Sequence, residues 1–521
     1  MYDLLIHNCR VIDGSGSPSI HSDVAIQAGK IAAVGQMLGA ARETLDGGGR
    51  CLAPGFIDSH SHNDLIVEQD PAFAGALEQG ITTQIAGQCG ESPAPLSEAR
   101  VEDTLRVCGA DGCVDPTRRF DFGVWLSSLP PMGVNTAFLV GHGNLRAAAM
   151  GFEDRNPTPA ELSQMEAALR CCLEGGAMGI SFGLIYPPGV FSETPELIAL
   201  AKITTEYGGM VTAHMRSENI RLLPALREML EVARESRCRT VISHHKATGG
   251  PRCWNQTADT LPLMDAANGD GLDVYCDQYP YTASATGLST DIPDEFHALP
   301  VARLLDLVTT REGRDRLRPR VLNGKTPDER FAYTMIGTSD SHPELCGKML
   351  LTAARELSQD PYELLMDLLR DDRLSTGGIF HTMSEEDVER VMRWPRAMVG
   401  TDGIMASGGA GGHPRSSGTF PRILARYVRE RGILTLENAI RKMTSLPAQV
   451  YNLKGKGLIR PGMDADLVLF DPDTIADNAT FVQPKLRPSG IDRVWVHGVS
   501  VVENGAATGA LAGTVLRRHN A

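Results

Sequence analysis

No stretch of this chain stays apolar for the roughly 18 residues that a membrane-spanning helix needs. Nor does any run of lysine and arginine grow long enough to follow a nucleic-acid backbone or an anionic lipid surface. The 521 residues carry 50 basic and 64 acidic side chains, a net charge of −14. Nucleic acid and membrane are therefore excluded as expected partners, and oligomeric state is not written in the sequence. Aromatics are sparse at 5%, yet 42% of the chain is hydrophobic, enough to bury a large core. The opening residues, Met1 to Asn8, lack the basic-then-apolar order of a secretion leader. The 11 cysteines are odd in number and scattered, which suits reduced thiols better than a disulfide framework. The expected compartment is the cytoplasm.

What is present is a β-rich pattern at both ends and repeated strand-then-helix units between them. Tyr2–Ile6, Val24–Gln27 and Lys30–Val34 alternate apolar and polar residues between glycines, as short antiparallel strands do. Ala465–Phe470 and Ile491–Val496 repeat that pattern near the other end. Neither end holds a core alone, so residues 1–54 and 453–521 are expected to pair into one small β-sandwich. Within 55–452 the apolar runs are Phe56–Asp58, Ile81–Ala86, Ala137–Gly141, Ala177–Phe182, Met210–Ala213, Thr240–Ser243, Gly271–Cys276 and Ala397–Gly400. Helical periodicity follows most of them, as in Pro159–Glu174, Pro195–Tyr207, Ile220–Ser236 and Glu385–Trp394. Eight such units argue for an α/β fold, a closed (β/α)8 TIM barrel. A ninth run, Gly377–His381, is one too many, and pattern alone does not say which of the last strands is extra. The interval at about 283–376 has no place in a minimal barrel and is expected to be an inserted lid.

Barrel active sites form at the carboxyl ends of the strands. There this sequence places Asp58-Ser59-His60-Ser61-His62, Gly87-Gln88-Cys89-Gly90, His214 with Glu218, His244-His245-Lys246 and Thr401-Asp402-Gly403. Histidine, cysteine and carboxylate are zinc ligands, and a His-x-His pair on a strand aims both rings at one face. One such pair among 14 histidines could be chance. A lone Cys89 would read as a small buried hydrophobe, and a lone Asp402 as a turn cap. Their joint recurrence at strand ends is what points to a metal site.

Ala53-Pro54-Gly55-Phe56-Ile57-Asp58-Ser59-His60-Ser61-His62 resembles the opening signature of the amidohydrolase superfamily. Gly87-Gln88-Cys89-Gly90, His214-Met215-Arg216-Ser217-Glu218, Ser243-His244-His245-Lys246 and His413-Pro414-Arg415 resemble its D-aminoacylase branch, and Gly457 to Leu467 resembles a closing motif common to such enzymes. The resemblance implies a barrel with a β-sandwich, zinc as cofactor, and small N-acyl-D-amino acids as substrates. Many relatives bridge two metals with a lysine on the fourth strand, but Ala177–Leu184 has none. In this branch a cysteine on the second strand is the anionic ligand, and Cys89 stands there. By the same resemblance Cys89, His214 and His244 hold a tight zinc, while His60, His62 and Asp402 line a second, weaker position. Gln88 departs from the family, which usually has asparagine next to the ligand.

The implied chemistry is metal-assisted amide hydrolysis, with Asp402 taking a proton from water and passing it to the leaving amine. Lys246, Tyr279 and Arg415 match family positions that contact the substrate carboxylate, although Tyr281 could stand in for Tyr279. His142, at the end of the third strand, either touches substrate or satisfies a backbone carbonyl. Tyr186-Pro187-Pro188-Gly189 either shapes the acyl pocket or forms a rigid turn, and the glycine-rich run 407–412 reads as a hinge over the site. Two rivals stand beside this reading: a cyclic-amide hydrolase of the dihydropyrimidinase or hydantoinase kind, and an inactive metal-binding scaffold. The preference for D over L comes from the resemblance alone.

Overall fold

The computed structural model describes residues 1–108, 115–405 and 411–518. Most of the glycine-rich run expected to act as a hinge therefore lies outside the described residues. Eight parallel strands close a barrel: Phe56–Asp58, Ile81–Ala86, a third strand in two pieces (Asn135–Phe138 and Val140–Gly141), Gly179–Gly183, Met210–His214, Arg239–Ile242, Val274–Gln278 and Ala397–Val399. Closure between the last strand and the first comes from Ser59 N–H donating to the Val399 carbonyl (3.2 Å) and from a bridge between Ser61 and Gly403. Strands such as Ile81–Ala86 and Met210–His214 are buried along their whole length, as parallel strands sheathed by helices must be.

The surrounding helices begin and end where local chemistry dictates. Pro159–Gly175 starts with a capping box between Thr158 and Glu161 and stops at Gly176, whose φ of +112° favours glycine. Met165, Leu169, Cys172 and Leu173 face inward from it at spacings of three to four residues.

Gly377–Phe380 is the strand that does not belong to the barrel. It pairs antiparallel with Ser284–Gly287 on one side and Thr334–Thr338 on the other. Together with the helices Val301–Thr309, Arg311–Leu322, Leu350–Glu356 and Pro361–Asp371, this sheet forms a unit with its own core of Leu288, Leu304, Leu317, Ile336 and Leu365.

The chain ends share one nine-stranded sheet. Tyr2–Val11, Ile20–Gln27 and Lys30–Gly35 run antiparallel, as their alternation suggests. Ala41–Asp46 and Cys51–Pro54 instead lie parallel to the first strand, and Cys51–Pro54 joins Leu467–Phe470 from the other end. Leu4, Ile6, Val24, Ile26, Leu467, Leu469 and Trp495 pack together inside the fold of this sheet. Val515–Leu516 falls in the span expected to be sandwich throughout, but it pairs with barrel strand Asn135–Phe138. Two residues of strand are too short to carry a readable alternation. Among the described residues no helix is long and apolar enough to cross a membrane.

Candidate metal centre

Cys89 is set into the barrel mouth by a tight turn. Gly87 (φ +77°) and Gly90 (φ +83°) flank it, and Cys89 itself is left-handed at φ +54°. A β-carbon on Gly183 would lie 1.8 Å from the Cys89 carbonyl oxygen, so the fourth strand has to end in glycine where this turn crosses it. Ser181 Oγ accepts from Gly90 N–H at 3.1 Å and fixes the crossing. The turn that carries the thiol therefore fills space that a fourth-strand side chain would otherwise take.

Three imidazole nitrogens crowd the thiol. Cys89 Sγ lies 3.3 Å from His244 Nε2, 3.4 Å from His60 Nε2 and 3.6 Å from His214 Nδ1. Zinc bonds of about 2.3 Å to sulfur and about 2.0 Å to nitrogen put tetrahedral ligands about 3.5 Å apart, so the spacing fits one ion. Burial pushes the thiol well above its ordinary range, with Asp402 adding to the effect. Burial likewise holds His214 and His244 well below the usual histidine range, which leaves neutral rings with free lone pairs. His214 Nε2 is buried and finds no hydrogen-bond partner. Four soft or borderline donors converging in a dry pocket suit a divalent cation. His244 (φ +36°) and Asp402 (φ +49°) are also left-handed, so three of the converging residues sit in costly backbone.

The other side of the mouth is built around Asp402. Its Oδ1 lies 3.1 Å from His62 Nε2 and 3.5 Å from His60 Nε2, and its Oδ2 lies 2.8 Å from an Arg415 nitrogen. Burial would raise this carboxyl, but Arg415 and the histidines win and hold it well below the usual carboxylate range. Burial opposes a charge on His62, yet its hydrogen bond to Asp402 leaves the ring above its ordinary value. Asp58 locks this side in place: it accepts from Thr401 N–H (2.8 Å), Thr401 Oγ1 (2.6 Å) and His60 N–H (3.2 Å). Asp402 N–H in turn donates to the His60 carbonyl at 2.7 Å.

The structure thus brings all six expected ligands together but groups them differently. One set is His60, Cys89, His244 and Asp402, with ligand atoms within 4.8 Å of one another; the other is His214, Glu218 and His244. His60 reaches the thiol as well as Asp402, so Cys89 faces both halves of the mouth.

The expected carboxylate contacts lie alongside. The Arg415 guanidinium stacks 4.8 Å from the Tyr279 ring centroid, and the Lys246 ammonium lies 5.6 Å from it on the same residue. The Tyr279 hydroxyl donates weakly to Met383 Sδ at 3.8 Å, whereas the Tyr281 hydroxyl turns away to the Pro414 carbonyl. Strand Arg239–Ile242 ends before His244, so β alternation does not aim Lys246; its ammonium instead donates to Glu218 (2.7 Å) and lies 2.8 Å from His244 Nδ1. His142 belongs to neither ligand set. Its Nε2 pairs with Glu196 at 2.7 Å, a carboxylate that Arg146 also holds, and its ring meets Phe182 edge-on. Tyr186 packs edge-on against His214, and its hydroxyl shares a 3.1 Å hydrogen bond with Thr286 of the inserted sheet.

Two buried carboxylates stand behind the histidine rings: Asp277, which was not picked out from sequence, and Glu218, which was noted only beside His214 and given no role. Asp277 accepts from the main-chain N–H of His244 (2.6 Å) and meets the His60 ring at Nδ1 (3.2 Å), so it orients the His60 ring and pins the backbone that carries His244. Glu218 meets His214, His244 and Lys246. Its place four residues after a strand-end histidine was the available signal for Glu218. Asp277 had none: the apolar run read from sequence ended at Cys276, one residue before it.

A barrel whose strand ends deliver cysteine, histidines and an aspartate to one dry pocket is the architecture of a metal-dependent hydrolase. A family profile described as the amidohydrolase family matches residues 335–502. The chain is 36% identical over 521 residues to a D-aminoacylase of Alcaligenes xylosoxydans xylosoxydans, covering 99% of this chain and 98% of that one. It is 38% identical over 519 residues to an N-acyl-D-glutamate deacylase of the same organism, covering 99% and 96%. A crystal structure of the Bordetella bronchiseptica N-acyl-D-glutamate deacylase, complexed with zinc and a phosphonate mimic of the tetrahedral intermediate, superposes with a TM-score of 0.83 at 35% identity, covering 99% of each chain. The chain belongs to the D-aminoacylase family of N-acyl-D-amino-acid deacylases, within the amidohydrolases.

Proposed function

We propose that this protein hydrolyses the amide bond of N-acyl-D-amino acids, releasing a carboxylate and a free D-amino acid, in a zinc-dependent reaction. The observation that carries this reading is the buried Cys89 thiol, ringed by three imidazole nitrogens at 3.3–3.6 Å with Asp402 beside them. Cys89, His214 and His244 would hold a tight zinc; His60, His62 and Asp402 line a second, weaker position. A zinc ion there supplies a Lewis acid that acidifies water and polarises an amide carbonyl.

The remaining chemistry belongs to the chain. Asp402 is held ionised by Arg415 and His62, so it is ready to accept a proton from the attacking water at Oδ1 and hand it to the leaving nitrogen. Its pKa is low for a base, so positioning has to make up what proton affinity lacks. Arg415 and Lys246, on one tyrosine ring, form the cationic wall to which the substrate carboxylate binds, with Tyr279 between them. His142, held by Glu196 and edge-on to Phe182, is taken as a further substrate contact. We take residues 1–54 and 453–514 as the sandwich unit, 55–452 as the barrel, and about 283–380, which includes strand Gly377–Phe380, as a lid. The Tyr186–Thr286 hydrogen bond supports the lid, since it links the inserted sheet to the residue packed on His214.

The test is release of free amine by zinc-loaded protein from paired N-acetyl-D- and N-acetyl-L-amino acids with apolar, acidic and basic side chains. Turnover confined to the D-series is expected. Equal turnover of both series, or hydrolysis of cyclic amides alone, would overturn the reading.

A further inference from the structure

Glu218 stands behind the metal-facing histidines, and its surroundings are unusual for a surface-loop carboxylate. It is 8% exposed and lies at the meeting point of two strand-end loops. Its own carbonyl accepts from Thr248 N–H at 2.7 Å, which stitches the loop after His214 to the loop after His244. One carboxylate oxygen, Oε1, lies 3.0 Å from His244 Nδ1 and 2.7 Å from Lys246 Nζ. The other, Oε2, lies 3.6 Å from His214 Nε2, the buried nitrogen that has no hydrogen-bond partner. Each histidine thus turns one nitrogen to Cys89 and the other to Glu218, with Lys246 Nζ also 2.8 Å from His244 Nδ1.

We infer that Glu218 is a positioning residue: one carboxylate that orients both His214 and His244 toward the metal and, through Lys246, ties that pair to the wall that binds the substrate carboxylate. A histidine ligand is fixed in ring orientation and made more basic when its second nitrogen meets a carboxylate. Here a single side chain does this for two ligands, and Lys246 balances its buried charge. The metal part rests on the donor geometry alone; the link to substrate rests on the function proposed above.

Chelator competition on metal-stripped protein separates this role from two others. Glu218→Gln preserves size and removes the charge. It should lower zinc affinity about ten- to a hundredfold, and should do so equally in a Lys246→Met background. In zinc-saturated protein it should raise KM for an N-acetyl-D-amino acid more than it lowers kcat. If the double variant regains parental zinc affinity, Glu218 merely neutralises Lys246 and the inference fails. It also fails if Glu218→Gln removes one whole ion per chain while the remaining ion binds unchanged, because Glu218 is then itself a ligand. Unaltered zinc affinity in Glu218→Gln overturns it outright. Since zinc is read directly, the result stands even if no N-acyl-D-amino acid is turned over.

Discussion

The two halves of the candidate metal centre each offer two histidines and one anionic side chain, Cys89 on one and Asp402 on the other, and they differ in what stands behind them. On one half, Cys89, His214 and His244 are buried and backed by Glu218 and Lys246. On the other, the His62 side chain is 21% exposed and Asp402 is already committed to Arg415. A ligand set held from behind in a dry pocket gives up little freedom on binding a cation. A set that is partly wet, with a cation-bound carboxylate, has to exchange existing partners first. On the function proposed above, the first half would hold an ion and the second would move protons.

Removing a donor from each half breaks this comparison in different ways. Cys89→Ala should have the largest effect, losing bound zinc and about a thousandfold or more in kcat/KM, as expected when metal activation worth several kcal/mol disappears. Metal analysis of the purified variant checks the first part; unchanged zinc would make Cys89 a packing residue. Asp402→Asn should keep zinc on the tight half and lose about 10²–10⁴ in kcat, the usual worth of a positioned proton carrier. Retained turnover there would take Asp402 out of proton transfer. Arg415→Met should raise KM and cost about ten- to a hundredfold in kcat/KM, the scale of a charge-assisted hydrogen bond. A loss in kcat alone would mean that Arg415 serves Asp402 and not the substrate. The smallest effect should come from Tyr186→Phe, which removes only the hydroxyl link to Thr286. A change of less than about tenfold in kcat/KM is expected, since one neutral hydrogen bond is worth about 1 kcal/mol.

Much of this was legible in the sequence because barrels put function at strand ends, and strand ends follow the apolar runs. Ile81–Ala86 and Ile491–Val496 were read to the residue, and the start of Met210–His214 was placed correctly. The six residues proposed as ligands were all picked out in this way. The extra strand Gly377–Phe380 was seen but not placed, because a short apolar run is the same whether its partners run parallel or antiparallel. Alternation would set Lys246 on the same side as His244 only if the strand continued, but it stops at Ile242, and a loop has no period. Glu218 and His142 show the deeper limit. Their roles depend on partners brought in by the fold, Glu218 with a lysine 28 residues away and His142 with a glutamate 54 residues away.

The most direct test of the account is to titrate zinc into metal-stripped protein while following hydrolysis of N-acetyl-D-leucine and N-acetyl-L-leucine. Activity on the D-substrate should rise in proportion to zinc and level off near one ion per chain, with the L-substrate untouched. Activity that is indifferent to zinc, or that appears only after a second ion binds, would contradict the division of labour between the two halves.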